Sequence, residues 1–552
     1  MGADVLIKGG MVMDGSGKPA VRADVVVEGD RIKDVGLFPD ADARRVIDAS
    51  GLAVAPGFID VHTHLDFFLA SPRHAEVLGS WAHQGVTTIV AGNCGYSPAP
   101  INHEYEETVS TYWNFSLPRD GLKFEWTTMD EFLSHLEKIG QAFNVGILTG
   151  HGTLRMNVMG FEARFATSGE IARMQQMLRE SIEAGSIGLS LGLFYVPGIY
   201  SNTEELIEVA SVLSDFNAPL VPHTRGLSET YVEAVQEVVK IAEELRIPLH
   251  VSHHENMVRE DPTVMERASQ AMADAQRRGV EIGHDIIPYS TGSTTLLSLF
   301  PPDLFDGGLD KFFERIEDPL MRTRIVTDWE TVVPKWPNWE HGWWTDNHYR
   351  NAYSSWALVC LSGFREEKNK RFENMSVEQI AMALNKDPFE TVFDLVAEEK
   401  GKVIVTGGGF DNPMEDDKIA MAITDPNCSI ASDIVGGDHN SINPVAFGAF
   451  PRVLGRIARD GGYMTQEEAV RKMTSLPAKQ MGLKDRGTIS AGAHADVTVF
   501  NPETIIDTAS FGNPHQLPEG IEYVLINGTI VLEDGNYRAE ALAGQVIRRK
   551  YL

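Results

Sequence analysis

A chain of 552 residues, 43% hydrophobic and 23% charged, exceeds one ordinary core and has a globular balance, so a large domain with a smaller partner is expected. A formal charge of −30 argues against a phosphate-backbone partner, and no apolar run reaches the roughly 18 residues of a membrane span, so neither nucleic acid nor membrane is an expected partner. The sparse cysteines Cys94, Cys360 and Cys428 argue against a disulfide scaffold, and the start MGADVLIKGG lacks a secretory pattern, so the expected location is the cytoplasm.

Residues 4–36 alternate short β-branched runs with Gly and Asp turns, as do 487–502 and 520–536 at the far end. This predicts a small β domain, a sandwich, assembled from residues 1–55 and 482–552. Between them, residues 56–481 alternate strand-like runs with helical periodicity. The runs are 57–62, 87–93, 144–150, 187–193, 218–223, 248–253, 281–289 and 428–433. The helix predicted over 229–245 places Tyr231, Val235, Val238, Val239 and Ala242 on one face. Eight such units predict an α/β fold of the (β/α)8 TIM-like barrel type, with an open doubly wound sheet as the alternative. No GxGxxG opens a helix after the first strand, so dinucleotide binding has no support. Residues 291–385, which include WPNWEHGWWTDNHY at 336–349, break the rhythm and are expected to form an insertion or lid.

Chemistry gathers at the run ends. His62 and His64 close the first run, Cys94 the second, His223 the fifth, His253 the sixth and Asp433 the eighth, while His151 follows the third. Strand ends converge in a barrel, so residues distant in sequence can share one ion, and His62 and His64, two apart on a strand, face the same side. Thiolate, imidazole and carboxylate suit zinc, which lowers the pKa of a bound water to about 7. Asp433 is the candidate to take that proton and return it to a leaving amine.

PGFIDVHTHLD at 56–66, GNCG at 92–95, GHGTLR at 150–155, VSHH at 251–254, IPYS at 287–290, GAFPRVLG at 448–455 and ADVTVF at 495–500 resemble the amidohydrolase superfamily, and within it the D-aminoacylase, or N-acyl-D-amino-acid deacylase, branch. The resemblance runs along nearly the whole chain. It implies zinc-dependent hydrolysis of an amide C–N bond in a small N-acyl substrate. It further implies a tight zinc at Cys94, His223 and His253 and a weaker second position at His62, His64 and Asp433, with Asp433 as general base and acid. His253 is the implied ligand in preference to His250 and His254, Tyr195 and Tyr289 resemble tyrosines of the substrate pocket, and His151 is expected with them as a substrate-binding residue.

Two positions depart from that branch. Where its members carry a lysine that binds the substrate carboxylate, this chain has Glu255, and Val445 replaces an arginine of similar role. A glutamate facing a carboxylate costs several kcal/mol, so the expected substrate has an amine half that lacks a free α-carboxylate or carries a cation or hydroxyl that Glu255 can meet, with Arg225 as a partial replacement clamp. Ring opening of a lactam, cyclic imide or hydantoin, carbamate cleavage, and a barrel kept only for binding are the alternatives. The residues leave the oligomeric state open.

Overall fold

The computed structural model describes residues 3–39, 42–118, 121–255, 261, 263–353, 355–408, 413–435 and 443–549. Among the described residues, both ends of the chain enter one nine-stranded sheet. The join is Ala53–Pro56 running antiparallel to Val497–Phe500, with Val54 opposite Val499. Alternation explains the face that is buried: Val25 and Val27, Val497 and Val499, and Val5 and Ile7 point inward together. Fully burying each such side chain contributes roughly 1.5–3 kcal/mol.

The middle is α/β. Every predicted run contains strand, and every pairing among these strands is parallel. Phe58–Asp60, Val86–Ala91 and Asn144–Ile147 are neighbours in one sheet; Thr149–Gly150, Leu189–Gly192, Leu220–His223, Leu249–Val251, Ile282–Ile286 and Cys428–Ile430 follow in order in a second. The third run thus carries two strands, and the Leu148 N–H between them donates to Ala91 O. The last run returns to the first: Thr63 bridges Ile434, and the Asp433 N–H donates to His62 O at 2.8 Å. Asp60 reinforces this contact by accepting from Trp81 Nε1 and the Ser432 N–H, both at 3.0 Å.

Helices cover these strands. Tyr231–Leu245 buries the five residues expected of it and ends at Arg246 in the left-handed conformation. Ser168–Ala184 begins at a reciprocal cap between Thr167 and Glu170. No helix of the described residues is long and apolar enough to cross a membrane.

The insertion has a sheet of its own. Thr291–Thr295, Ile404–Gly408, Val359–Ser362 and Met375–Ser376 pair antiparallel in that order, so the inserted sheet reaches beyond residue 385 to Gly408. Trp329, Phe300, Phe393, Phe389 and Trp356 pack ring to ring within the insertion. At the other end, Val546–Ile547 leaves the terminal sheet and pairs parallel with Asn144–Ile147.

Candidate metal centre

The GNCG turn fixes Cys94. Gly92 and Gly95 have positive φ, and a Cβ on either would sit within 2.5 Å of the backbone of Leu148 or Gly192, so only glycine lets the turn lie against its neighbours. Cys94, His253 and Asp433 also have positive φ, at 51°, 32° and 47°. Non-glycine residues rarely adopt this conformation, and its occurrence at three converging candidates marks a site whose geometry is imposed by its surroundings.

The side chains meet. Cys94 Sγ lies 3.3 Å from His62 Nε2, 3.5 Å from His223 Nδ1 and 3.7 Å from His253 Nε2. Asp433 Oδ1 lies 3.2 Å from His62 Nε2 and 3.3 Å from His64 Nε2. Ligand bonds of about 2.3 Å to sulfur and 2.0 Å to nitrogen at tetrahedral angles put S and N about 3.5 Å apart, so the spacing around Cys94 fits a zinc ion. Three overlapping groups have metal-binding spacing: Cys94, His223 and His253; His62, His64 and Cys94; and His62, His253 and Asp433. Cys94 therefore touches both sets that the sequence separated, and His62 and His253 share a group.

Electrostatics favour a cation here. Burial would raise the Cys94 thiol, but His62 and His223 outweigh it and hold the thiol well below its ordinary range. Burial would lower His62, yet Asp433, Cys94 and Asp285 raise it well above the usual imidazole value. His253 rises to about 9, against burial, chiefly through Cys94, while burial and His253 push His223 down to about 4. Anionic donors here draw positive charge toward themselves, the charge a divalent ion supplies as it displaces protons.

Neighbouring residues divide by geometry. His254 turns away, bonded to Tyr231 and to Ser269 Oγ at 2.9 Å. Tyr195 stands over the centre, its ring 5.0 Å from His223 and its hydroxyl 3.2 Å from Thr294 Oγ1. Glu255 is pushed up to about 7 by burial, against the pull of His253, with Asp433, Asp285 and Asp346 adding to the rise. Tyr289, expected in the pocket, instead donates to Asp507 Oδ2 at 3.0 Å with Arg452 over its ring. Arg225, expected as a clamp, has its fork taken by Glu237 at 3.0 and 3.2 Å, because a buried guanidinium needs a carboxylate partner. His151 is buried 3.7 Å from Glu205, which also pairs with Arg155. Val445 is buried at the start of the helix Val445–Arg452.

The amidohydrolase family model matches residues 45–332 and 378–532, most of the chain. This chain belongs to the amidohydrolase family. The amidohydrolase is 32% identical over 546 residues to a D-aminoacylase of Alcaligenes xylosoxydans xylosoxydans, covering 99% of this chain and 98% of the relative. It is 31% identical to an N-acyl-D-glutamate deacylase of the same organism, over 96% and 93% of the two chains. Its fold matches the crystal structure of an N-acyl-D-glutamate deacylase from Bordetella bronchiseptica, complexed with zinc and a phosphonate inhibitor, with a TM-score of 0.79 at 29% identity over 99% and 100% of the chains. A D-aminoacylase crystal structure matches with a TM-score of 0.78 at 30% identity over the same shares.

The amidohydrolase also carries a residue that sequence reading passed over. Asp285 accepts from the His253 N–H at 2.7 Å, lies 2.8 Å from His250 Nε2 and 3.5 Å from His62 Nδ1. Burial would raise this carboxyl, but His62 and His250 hold it well below the carboxylate range. It fixes the orientation of two candidate ligands. Its signal was available: Asp285 is a charge within the buried strand Ile282–Ile286, where a parallel sheet otherwise demands apolar residues.

Proposed function

We propose that this amidohydrolase is a zinc-dependent hydrolase that cleaves the C–N amide bond of an N-acyl compound whose amine half lacks a free α-carboxylate. The observation that carries the reading is the convergence of Cys94, His223, His253, His62, His64 and Asp433, from five different strand ends, on one buried centre. In this reading the parallel strands form a closed (β/α)8 barrel, residues 1–55 with 482–552 form the small β domain, residues 56–481 form the barrel domain, and the insertion is a wall over the site. The returning contact between Asp433 and His62 supports closure.

Cys94, His223 and His253 would hold the tighter zinc, and His62, His64 and Asp433 a second position that shares the Cys94 edge. Zinc, when bound, polarises an acyl oxygen and provides a nucleophile at neutral pH. Asp433, with 14% of its side chain exposed where the ligands are closed off, is the group placed to take a proton from the attacking water and deliver it to the departing amine nitrogen. Asp285 holds His62 and the His253 backbone in place, and the Tyr195 hydroxyl orients the substrate. Glu255, among other carboxylates, makes the amine side hostile to a second anion.

The deciding measurement combines metal analysis of purified protein with hydrolysis of paired acetamides that differ only by an α-carboxylate. Stoichiometric zinc with faster cleavage of the carboxyl-free partner is the expected result. If N-acetyl-D-amino acids are cleaved far faster than their carboxyl-free partners, the substrate reading is wrong.

A further inference from the structure

A cavity lies one ring away from the metal centre. Phe194 stacks on His223 at 5.8 Å and approaches His348 at 4.7 Å, and it also lines a small cavity walled by Ile199, Leu297, Trp344, Thr345 and Asp346. The cavity is about 10 Å³, room for one water-sized group. Two of its polar groups are poorly served. The Asp346 side chain has no exposure, yet accepts only from the Leu227 N–H at 3.3 Å and Asn351 Nδ2 at 3.4 Å, and its ion-pair neighbour among the described residues is His348 at 4.0 Å. Thr345 is 2% exposed and its Oγ1 has no partner among the described residues. A buried carboxylate with long, neutral contacts is costly unless a cation meets it.

Resting on the hydrolase reading above, we propose that this cavity is a subsite for a terminal ammonium on the amine half of the substrate, received by Asp346, Thr345 and the face of Trp344. An ammonium group has the size of the water-sized space, carries the three donors that a carboxylate, a hydroxyl and an indole face accept, and leaves its alkyl stem against Phe194 and Leu297. The chain's charge of −30 draws such a substrate in and repels its carboxylate analogue.

The test compares zinc-loaded full-length protein on three N-acetyl alkylamines of matched butyl to hexyl length, ending in ammonium, methyl or carboxylate. The ammonium arm is expected to exceed the methyl arm in kcat/KM by about tenfold to hundredfold, the span of one charge-assisted hydrogen bond, and Asp346→Asn is expected to collapse that ratio toward one through the KM of the ammonium substrate. Should Asp346→Asn not fold, Thr345→Val is read instead and should narrow the ratio several-fold. An equal or reversed preference in the native protein, or a ratio untouched by the variant that folds, overturns the subsite. Cleavage of all three arms at similar rates sinks the subsite alone, whereas no cleavage of any amide by the zinc-loaded protein sinks the hydrolase reading.

Discussion

The metal centre and the cavity beside it bury carboxylates in opposite company. Around the centre, Asp433 has imidazole nitrogens at 3.2 and 3.3 Å and Asp285 has one at 2.8 Å. In the cavity, Asp346 has two long bonds from neutral donors and an imidazole no nearer than 4.0 Å. A third carboxylate, Glu205, is balanced by Arg155. The difference teaches where charge is settled by the fold and where it waits for something that arrives. Glu205 is settled, whereas in the readings proposed above an ion completes the negative ligands of the centre and substrate reaches Asp346.

The comparison can be broken at several points. Chelation should have the largest effect: stripped protein should lose amide hydrolysis to background and regain it on zinc addition, read by activity with metal analysis. Asp433→Asn should lower kcat by about 10²- to 10⁴-fold while the zinc held by Cys94, His223 and His253 stays in place, the loss expected for a proton-transferring group. Glu205→Gln should cost about 3–5 kcal/mol in denaturant unfolding, because Arg155 then lies buried and unpaired. The same pair sets a pH dependence. Burial would raise Glu205, but His151 and Arg155 hold it down to about 2 from an ordinary 4.5, so its stabilisation is present above pH 4.5 and lost as pH falls toward 2. Glu205→Gln should flatten stability across that acid window and leave it unchanged in slope above. Asp285→Asn should have the smallest effect, weakening zinc affinity about 10- to 100-fold by competition with a chelator, since it orients ligands and does not bind the ion.

Much of the centre was legible because ligand chemistry restricts residue type. His62, His64, Cys94, His223, His253 and Asp433 could each be named from position at the end of an apolar run, and the structure brings them within contact of one another. Their partition into two ion positions was not legible, since the Cys94 turn reaches His62 as closely as His223. Arg225 and Tyr289 have contacts that their motifs do not disclose. Each lies beside a matching motif, yet Glu237 and Asp507 arrive from other parts of the chain and claim the polar ends. Asp285 is legible only as one charge out of place in a buried strand, a signal that periodicity does not carry.

The sequence by itself determined the strand–helix alternation, the composite sheet of the two termini and the residue types at the strand ends, because periodicity, turn chemistry and ligand softness are local or compositional properties. Tertiary structure decided which candidate ligands stand close enough to share an ion, which cations are already spent on buried carboxylates, and that Asp346 lines a cavity with only long contacts. Those are questions of distance between segments far apart in the chain, and burial sets the cost of every unmatched charge among them.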